Sequence, residues 1–172
     1  VEASKISSGN ITMEYMNINF VEMINQTTGE FTEKFEKRNL QIVLNVPEKP
    51  VMVRTDGRRM WRVIENIYNN AAKYALEGTR VYADLIEKEH TVEFSLKNIS
   101  EQPLNISADE LTERFIRGDV SRSTEGSGLG LSIAKNLTEL QGGKFELYLD
   151  GDLFKVTIVF PKAVVGQSVT KP

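Results

Sequence analysis

The sequence predicts an α+β fold: a two-layer sandwich with a mixed, mainly antiparallel sheet and helices on one face. Three segments carry apolar residues at helical spacing, and about six shorter ones alternate apolar with polar residues. Most of the alternating segments follow one another through short turns, as antiparallel strands do. Length and composition agree. A chain of 172 residues, 40% hydrophobic and 26% charged, makes one ordinary domain with a real core.

Residues 1 to about 10 are polar and without period, which suits a linker or the end of a preceding element. Asn19 and Glu22 form a capping box that opens a helix at Phe20, with Phe20, Ile24, Phe31 and Phe35 on its inner face and Gly29 as an interruption. Leu40, Ile42, Leu44 and Val46 alternate as a strand closed by Pro47 and Pro50, and residues 51–54 form a short one. Asp56 caps a second helix, which runs to about Ala75 with Met60, Ile64, Ile67, Ala71 and Ala75 inward and Gly78 ending it. Residues 81–86 and 92–98 read as two strands joined by Glu87-Lys88-Glu89-His90. From Ile99 to Glu125 the pattern lapses, apart from a small helix capped by Ser107 and Glu110. So long a connection in a compact domain predicts a lid or a binding loop. Glycines 126, 128 and 130 lead into a third helix with Leu129, Ile133, Leu137 and Leu140 on one side. Residues 145–149 and 153–160 flank Asp150-Gly151, a hairpin signal, and the tail after Pro161 looks loosely held.

The composition excludes several functions. The net charge of −3 argues against a dedicated duplex-binding surface, which needs a concentrated basic stripe. Cysteine is absent, so disulfides, thiol catalysis and thiolate zinc are ruled out, and the single histidine, His90, rules out a histidine-rich metal site. No apolar run approaches the ~18 residues that cross a bilayer. The first residue is Val1 rather than Met, so the chain is expected to be part of something longer.

Three places could carry chemistry. Asn66, Asn70 and Lys73 fall within an arc of roughly 60° beside the apolar face of the second helix, with Tyr74 on the same flank. Asparagine weakens a helix interior, so this stripe is either a solvated edge or an oxygen-ligand site for Mg²⁺, with Lys73 meeting a phosphate. Gly126, Gly128 and Gly130 open a helix, whose N-terminus offers free N–H groups and about half a positive charge to an anion. This glycine turn lacks the Gly-Lys-Ser/Thr of a Walker loop and the spacing of a dinucleotide fingerprint; its plain alternative is a flexible helix cap. Asn98 shares a strand face with Val92, Phe94 and Leu96, so it ends inside if that face meets the helices; otherwise it is an ordinary turn asparagine.

Together, and in this order, the three sites resemble the ATP-binding catalytic domain of sensor histidine kinases, within the GHKL ATPase superfamily and its Bergerat fold. Residues 65–74 (Glu65-Asn66-Ile67-Tyr68-Asn69-Asn70-Ala71-Ala72-Lys73-Tyr74) resemble the N box, residues 113–119 (Glu113-Arg114-Phe115-Ile116-Arg117-Gly118-Asp119) the F box, and residues 126–132 the G2 box. The likeness covers roughly residues 15–161. It implies that residues 1–14 end a phosphoacceptor and dimerisation region, that 15–161 bind ATP under a lid of about 99–125, and that 162–172 are a flexible tail.

By this resemblance Asn70, with Asn66, holds Mg²⁺ against the triphosphate, Lys73 contacts phosphate and Tyr74 the purine. Phe115 anchors the lid, and Arg117 and Arg122 reach the γ-phosphate. Gly126, Gly128, Leu129, Gly130 and Leu131 wrap the phosphates, and Thr157 supports the adenine pocket. The family's G1 box, Asp-x-Gly-x-Gly, is replaced by Asn98-Ile99-Ser100-Glu101-Gln102, which implies weaker discrimination between ATP and GTP. The GHKL hydrolases place a water-activating glutamate where Asn66 stands. An amide cannot act as a base, so the resemblance favours phosphotransfer.

His90, in a charged turn, reads as a surface residue, not a phosphoacceptor. The implied partners are therefore the phosphoacceptor domain of the parent kinase and the receiver aspartate of a response regulator. The chain alone is expected to be monomeric and not to label itself, as a cytoplasmic domain of a dimeric, membrane-bound sensor. The rival reading is a non-catalytic docking module with a degenerate nucleotide site.

Overall fold

The computed structural model describes residues 12–103 and 127–164. Strand β1 (Tyr15–Asn19) runs directly into helix α1 (Phe20–Lys37), followed by β2 (Gln41–Asn45), β3 (Met52–Asp56) and helix α2 (Gly57–Tyr74). Next come β4 (Arg80–Glu87), β5 (Thr91–Ile99), helix α3 (Ser127–Leu140), β6 (Lys144–Asp150) and β7 (Leu153–Pro161). Five strands form one sheet in the order β2-β4-β5-β7-β6. Among the described residues only β2 and β4 pair in parallel, because they are separated by a helical crossover, whereas β4, β5, β7 and β6 pair antiparallel. The α+β sandwich is as expected.

Period-two burial builds the core. Val81, Ala83 and Leu85 of β4, Phe94 and Leu96 of β5, and Val156, Ile158 and Phe160 of β7 face the helices and are buried. Tyr68 of α2 stacks on Phe94 with ring centroids 6.2 Å apart, and its hydroxyl shares a 2.7 Å hydrogen bond with Thr28 of α1. Each such aromatic or aliphatic side chain contributes about 1.5–3 kcal/mol of hydrophobic stabilisation on burial.

Four local expectations change. Residues 15–19 pair antiparallel with β3 as a separate two-stranded ribbon; with two asparagines in five residues they carry only a faint strand signal. Gly29 does not interrupt α1. It lies in a helix capped by the Asn19 side chain, which accepts from the Glu22 N–H. Gly78 does not end α2, which stops at Tyr74 with extended Ala75 as its C-cap; Gly78 takes φ +83° in the turn before β4. Gly128 and Gly130 are wound into α3 rather than leading up to it, since the helix starts at Ser127. The β6–β7 hairpin forms as expected around Gly151, whose φ of +62° glycine adopts without steric penalty.

Candidate functional site

Helices α2 and α3 bring the asparagine stripe and the glycines together. At one end, the Asp56 N–H donates to Gln141 Oε1 at 2.9 Å, and Gln141 Nε2 donates to the Leu137 carbonyl at 3.0 Å. This ties the start of α2 to the end of α3. Asp56 also caps α2, accepting from the Arg59 N–H. At the other end, a methyl group on Gly130 would stand 3.8 Å from Asn66 Oδ1. The helices therefore run antiparallel. Ten residues of rise from Asp56 to Asn66, about 15 Å, match eleven from Gly130 to Gln141, about 16.5 Å. Ser127 lies three residues before Gly130, about 4.5 Å further along, level with Asn69 and Asn70. The first turn of α3, with N–H groups free of intrahelical partners, thus flanks the stretch between Asn66 and Asn70.

Asn66, Asn70 and Asn98 each carry a buried amide atom with no hydrogen-bond partner among the described residues, as Arg62 does at Nε one turn before Asn66. Asn70 is 5% exposed and its Oδ1 has no hydrogen-bond partner among the described residues. The same holds for Asn66 Nδ2 and for Nδ2 of Asn98, which is 3% exposed. Asn69, between the first two, instead accepts from Lys34 at 2.9 Å on the α1 side of the helix. Lys73 is exposed and Tyr74 half-buried on the last turn of α2.

Asn98 reaches the site through strand parity. It follows Phe94 and Leu96 on the inward face of β5, and the end of that strand docks on the segment leaving α2. There the Leu76 N–H donates to the Ile99 carbonyl, Ala75 bridges Ser100, and the Glu101 N–H donates to the Tyr74 carbonyl. Directly across the ladder from Asn98 is Phe154, also buried. Thr157 is misplaced by the sequence reading. It pairs with Ser95 and Glu146, on the face turned away from the helices, so it lines no pocket beside Asn98. Alternation along β7 gives that inward place to Phe154. Leu131 packs its side chain into the core, so it has only backbone to offer a ligand. Phe115, Arg117, Arg122 and Gly126 lie outside the described residues, as do the side chains of Gly128 and Leu129.

Sequence reasoning missed Arg38. This C-cap residue of α1 donates through Nη1 to the carbonyls of Ala72 (2.8 Å) and Lys73 (3.1 Å), and through Nη2 to Glu101 Oε1 at 2.8 Å. It is a lone arginine after a helix, and nothing local marks it. His90 is 84% exposed beside Glu89, in the turn at the far end of β5 from Asn98, roughly 26 Å away along the strand. A cavity of about 300 Å³ between α1 and β2, lined by Thr28, Phe31, Phe35 and Leu40 among others, shares no lining residue with this site. Among the described residues no helix is long and apolar enough to cross a membrane.

Known proteins fit this geometry. The profile of the family described as histidine kinase-, DNA gyrase B-, and HSP90-like ATPase matches residues 55–164. The sensor protein KdpD of Clostridium acetobutylicum is 33% identical over 80% of this chain and 16% of its own length. The sensor histidine kinase WalK of Bacillus subtilis is 28% identical over 83% of this chain and 24% of its own. This chain therefore spans about a sixth to a quarter of these relatives. Among solved structures, the nucleotide-free catalytic domain of histidine kinase ThkA superposes with a TM-score of 0.76 at 26% identity, covering 87% of this chain and 97% of that one. With the family profile over more than half of its residues and the fold of a histidine kinase catalytic domain, the chain belongs to the histidine kinase-, DNA gyrase B- and HSP90-like ATPases, as an ATP-binding domain of the sensor histidine kinase kind.

Proposed function

We propose that this chain binds Mg-ATP between α2 and α3 and hands the γ-phosphate to a histidine on a phosphoacceptor domain of its parent protein, from which it passes to a response-regulator aspartate. One observation supports this above the others. The unsatisfied amides of Asn66 and Asn70 lie against the glycine-bearing first turn of α3, with Gly130 at Asn66. A buried, unpartnered amide oxygen suits a hard cation that prefers oxygen ligands, so Asn70 Oδ1, with Asn66 beside it, fits Mg²⁺. When bound, the ion would offset phosphate charge.

The chain's own residues do the rest. The free N–H groups at the start of α3 receive phosphate oxygens, and Lys73 adds a positive charge at the mouth. To these we add Arg117 and Arg122, outside the described residues, as the further positive charges that the resemblance implies for the γ-phosphate. Asn66 cannot take a proton from water, so hydrolysis is not favoured and the acceptor side chain supplies the nucleophile. His90 is too remote to be that acceptor. A docking module without nucleotide binding would have no use for dry, unpaired amides, because apolar residues there would stabilise it.

The test is thermal unfolding of the 172-residue chain with Mg²⁺ and a non-hydrolysable ATP analogue. Ligand at 100 times its Kd stabilises by about 2.7 kcal/mol, a rise of roughly 5–10 °C for a domain of this size. Asn70→Leu should keep the fold and lose the rise. Absence of any rise in the unsubstituted chain would overturn the reading. Radiolabel from ATP should reach separately supplied histidine-bearing helices and leave His90 unmarked.

A further inference from the structure

We infer that strand β2 is a self-association edge. Two copies of this chain pair antiparallel through residues 41–45, about a two-fold axis at Val43, and join their sheets into one. This is independent of the nucleotide reading. β2 stands at one end of the sheet and β6 at the other, and among the described strands only β4 pairs with β2. An open edge offers backbone donors and acceptors to any strand that meets it, and folds commonly blunt it with charge or proline. β6 carries Lys144, Glu146 and Asp150. β2 reads Gln-Ile-Val-Leu-Asn, with no charge, proline or glycine.

Backbone and side chains both fit a second copy. The Gln41 N–H donates to the Thr79 carbonyl at 3.1 Å, so by alternation Gln41, Val43 and Asn45 turn their backbone groups to β4. Ile42 and Leu44 turn theirs outward. An axis at Val43 sets Ile42 opposite Leu44 of the second copy, where the two exchange N–H···O bonds, and symmetry repeats the exchange beyond the axis. Val43 faces itself, and Gln41 faces Asn45 of the second copy, amide to amide. A shift by one residue would set outward groups against inward ones and lose these bonds. The order amide, apolar, apolar, apolar, amide reads the same in both directions, which is the self-complementarity a two-fold interface requires.

The groove beside the strand fits the same occupant. A cavity of about 300 Å³ between α1 and β2 is lined by Phe31, Phe35, Leu40 and Ile42 among others. Ile42, Leu44 and Val46 lie on the face turned to the helices and are only partly buried. In the paired state Leu44 and Val46 of the second copy stand opposite Ile42 and Leu40, over this groove, and cover it. Glu36 lines the cavity beside Gln41, so the axis sends the two copies of this charge to opposite ends of the seam. Helix α1 stands between the seam and α2, so the nucleotide cleft stays open.

The experiment is sedimentation velocity of the 172-residue chain from about 10 μM to about 1 mM, because a seam of five residues a side, against about 20–30 in a standard interface, holds weakly. A reversible monomer–dimer equilibrium is expected, with Kd on the order of 0.1 mM. Val43 is half-buried and lies outside the core cluster, so charged replacements should fold, as cooperative thermal unfolding would show. Val43→Lys and Val43→Glu each put like charges face to face across the axis and should weaken association by about tenfold or more. An equal mixture of the two pairs opposite charges and should associate again. Amide exchange at Ile42 and Leu44 should slow as the unsubstituted chain is concentrated, a measurement that stands even if a variant misfolds. The monomer expected from the sequence, persisting to about 1 mM, would overturn the inference. So would a dimer indifferent to both substitutions, folded variants whose mixture stays monomeric, or a dimer whose Ile42 and Leu44 amides exchange as fast as in dilute protein.

Discussion

Replacing Arg38 with alanine should destabilise the domain by about 2–3 kcal/mol and loosen the end of the helix that carries the site. The last four carbonyls of a helix have no partner inside it. In α2 those of Ala71 and Tyr74 accept from the N–H groups of Ala75 and Glu101, while those of Ala72 and Lys73 depend on the Arg38 guanidinium. A hydrogen bond from a charged donor is worth about 1.5–3 kcal/mol when dry, but Arg38 is 25% exposed, so water recovers part of two such bonds. Its charge against the helix terminus adds about 0.3–1 kcal/mol, and the half-exposed pair with Glu101 little more. At 2–4 °C per kcal/mol the melting midpoint should fall by roughly 4–12 °C. Lysine should restore only part of the loss, because one ammonium cannot span two carbonyls and a carboxylate as a planar fork does. Asn70, Lys73 and Tyr74 ride on that last turn, so Mg-nucleotide affinity should weaken as well. The measurement is thermal and urea unfolding of Arg38→Ala and Arg38→Lys, with calorimetry for the nucleotide. A midpoint within 1 °C of the parent, or complete rescue by lysine, would refute the reasoning.

Further outcomes follow from single contacts. Gly130→Ala should raise stability by up to about 1 kcal/mol, since alanine suits a helix better and its methyl meets Asn66 Oδ1 at an ordinary 3.8 Å. Calorimetry should show the same variant binding nucleotide less well; unchanged binding would release the glycine from any ligand role. Gly143→Ala should cost about 1–3 kcal/mol in urea unfolding, because its methyl would lie 2.7–2.9 Å from the ring of Phe160, which is 1% exposed; a parent-like midpoint would show that the ring yields freely. Burial pushes the Tyr68 phenol up to about 12, with the Thr28 hydrogen bond pulling less strongly the other way. Its folded value lies above the unfolded one near 10, so its contribution is complete below pH 10 and drains away as pH rises toward 12, amounting to roughly 2–3 kcal/mol. Urea midpoints at pH 9 and 11.5 should therefore fall further in the parent than in Tyr68→Phe, and equal losses would contradict this.

Much of the fold could be read because single residues carry its signals. Asn19 and Asp56 announce both helix starts by side chains that cap, and the alternation from Val92 to Asn98 predicts which face meets the helices, including the burial of Asn98 itself. The ribbon strand β1 escaped because its burial is partial and two of its five residues are asparagines, leaving Tyr15, Met16 and Ile18 as its hydrophobic marks. The early stop of α2 escaped for another reason. Its carbonyls are satisfied by Arg38 and Glu101, which are distant in sequence, so no local glycine was needed and Gly78 misled. Within the site, helical spacing was enough to group Asn66 with Asn70, but not to separate them from Asn69, which Lys34 claims across the α1 interface. Thr157 failed on parity. An assignment by resemblance to a strand fixes the neighbourhood, whereas a shift of one residue turns the side chain to the other face, here putting Phe154 beside Asn98.

The unsatisfied amides decide between a working site and a vestige. An unpaired buried polar group costs about 1–3 kcal/mol, so three of them draw roughly 3–9 kcal/mol from a fold whose whole margin is about 5–15. Of the other buried polar groups, Arg62 Nε on α2 also lacks a hydrogen-bond partner among the described residues, whereas Gln141 uses both ends of its amide, Thr27 donates to the Met23 carbonyl, and Asp56 accepts from Glu14 and Arg59. The unpartnered hydroxyls of Thr55 and Thr138 are a weaker sign, since threonine fills a hole shaped for valine and its hydroxyl is incidental to that packing. Asparagine has no such apolar use. A domain that had stopped binding could gain stability by exchanging Asn66, Asn70 or Asn98 for an apolar residue that leaves no unpaired polar atom. That all three dry amides stand where α2 meets α3 and the end of β5, with none on the α1 side of the same helix, is what a ligand-bearing cleft requires and a relic does not.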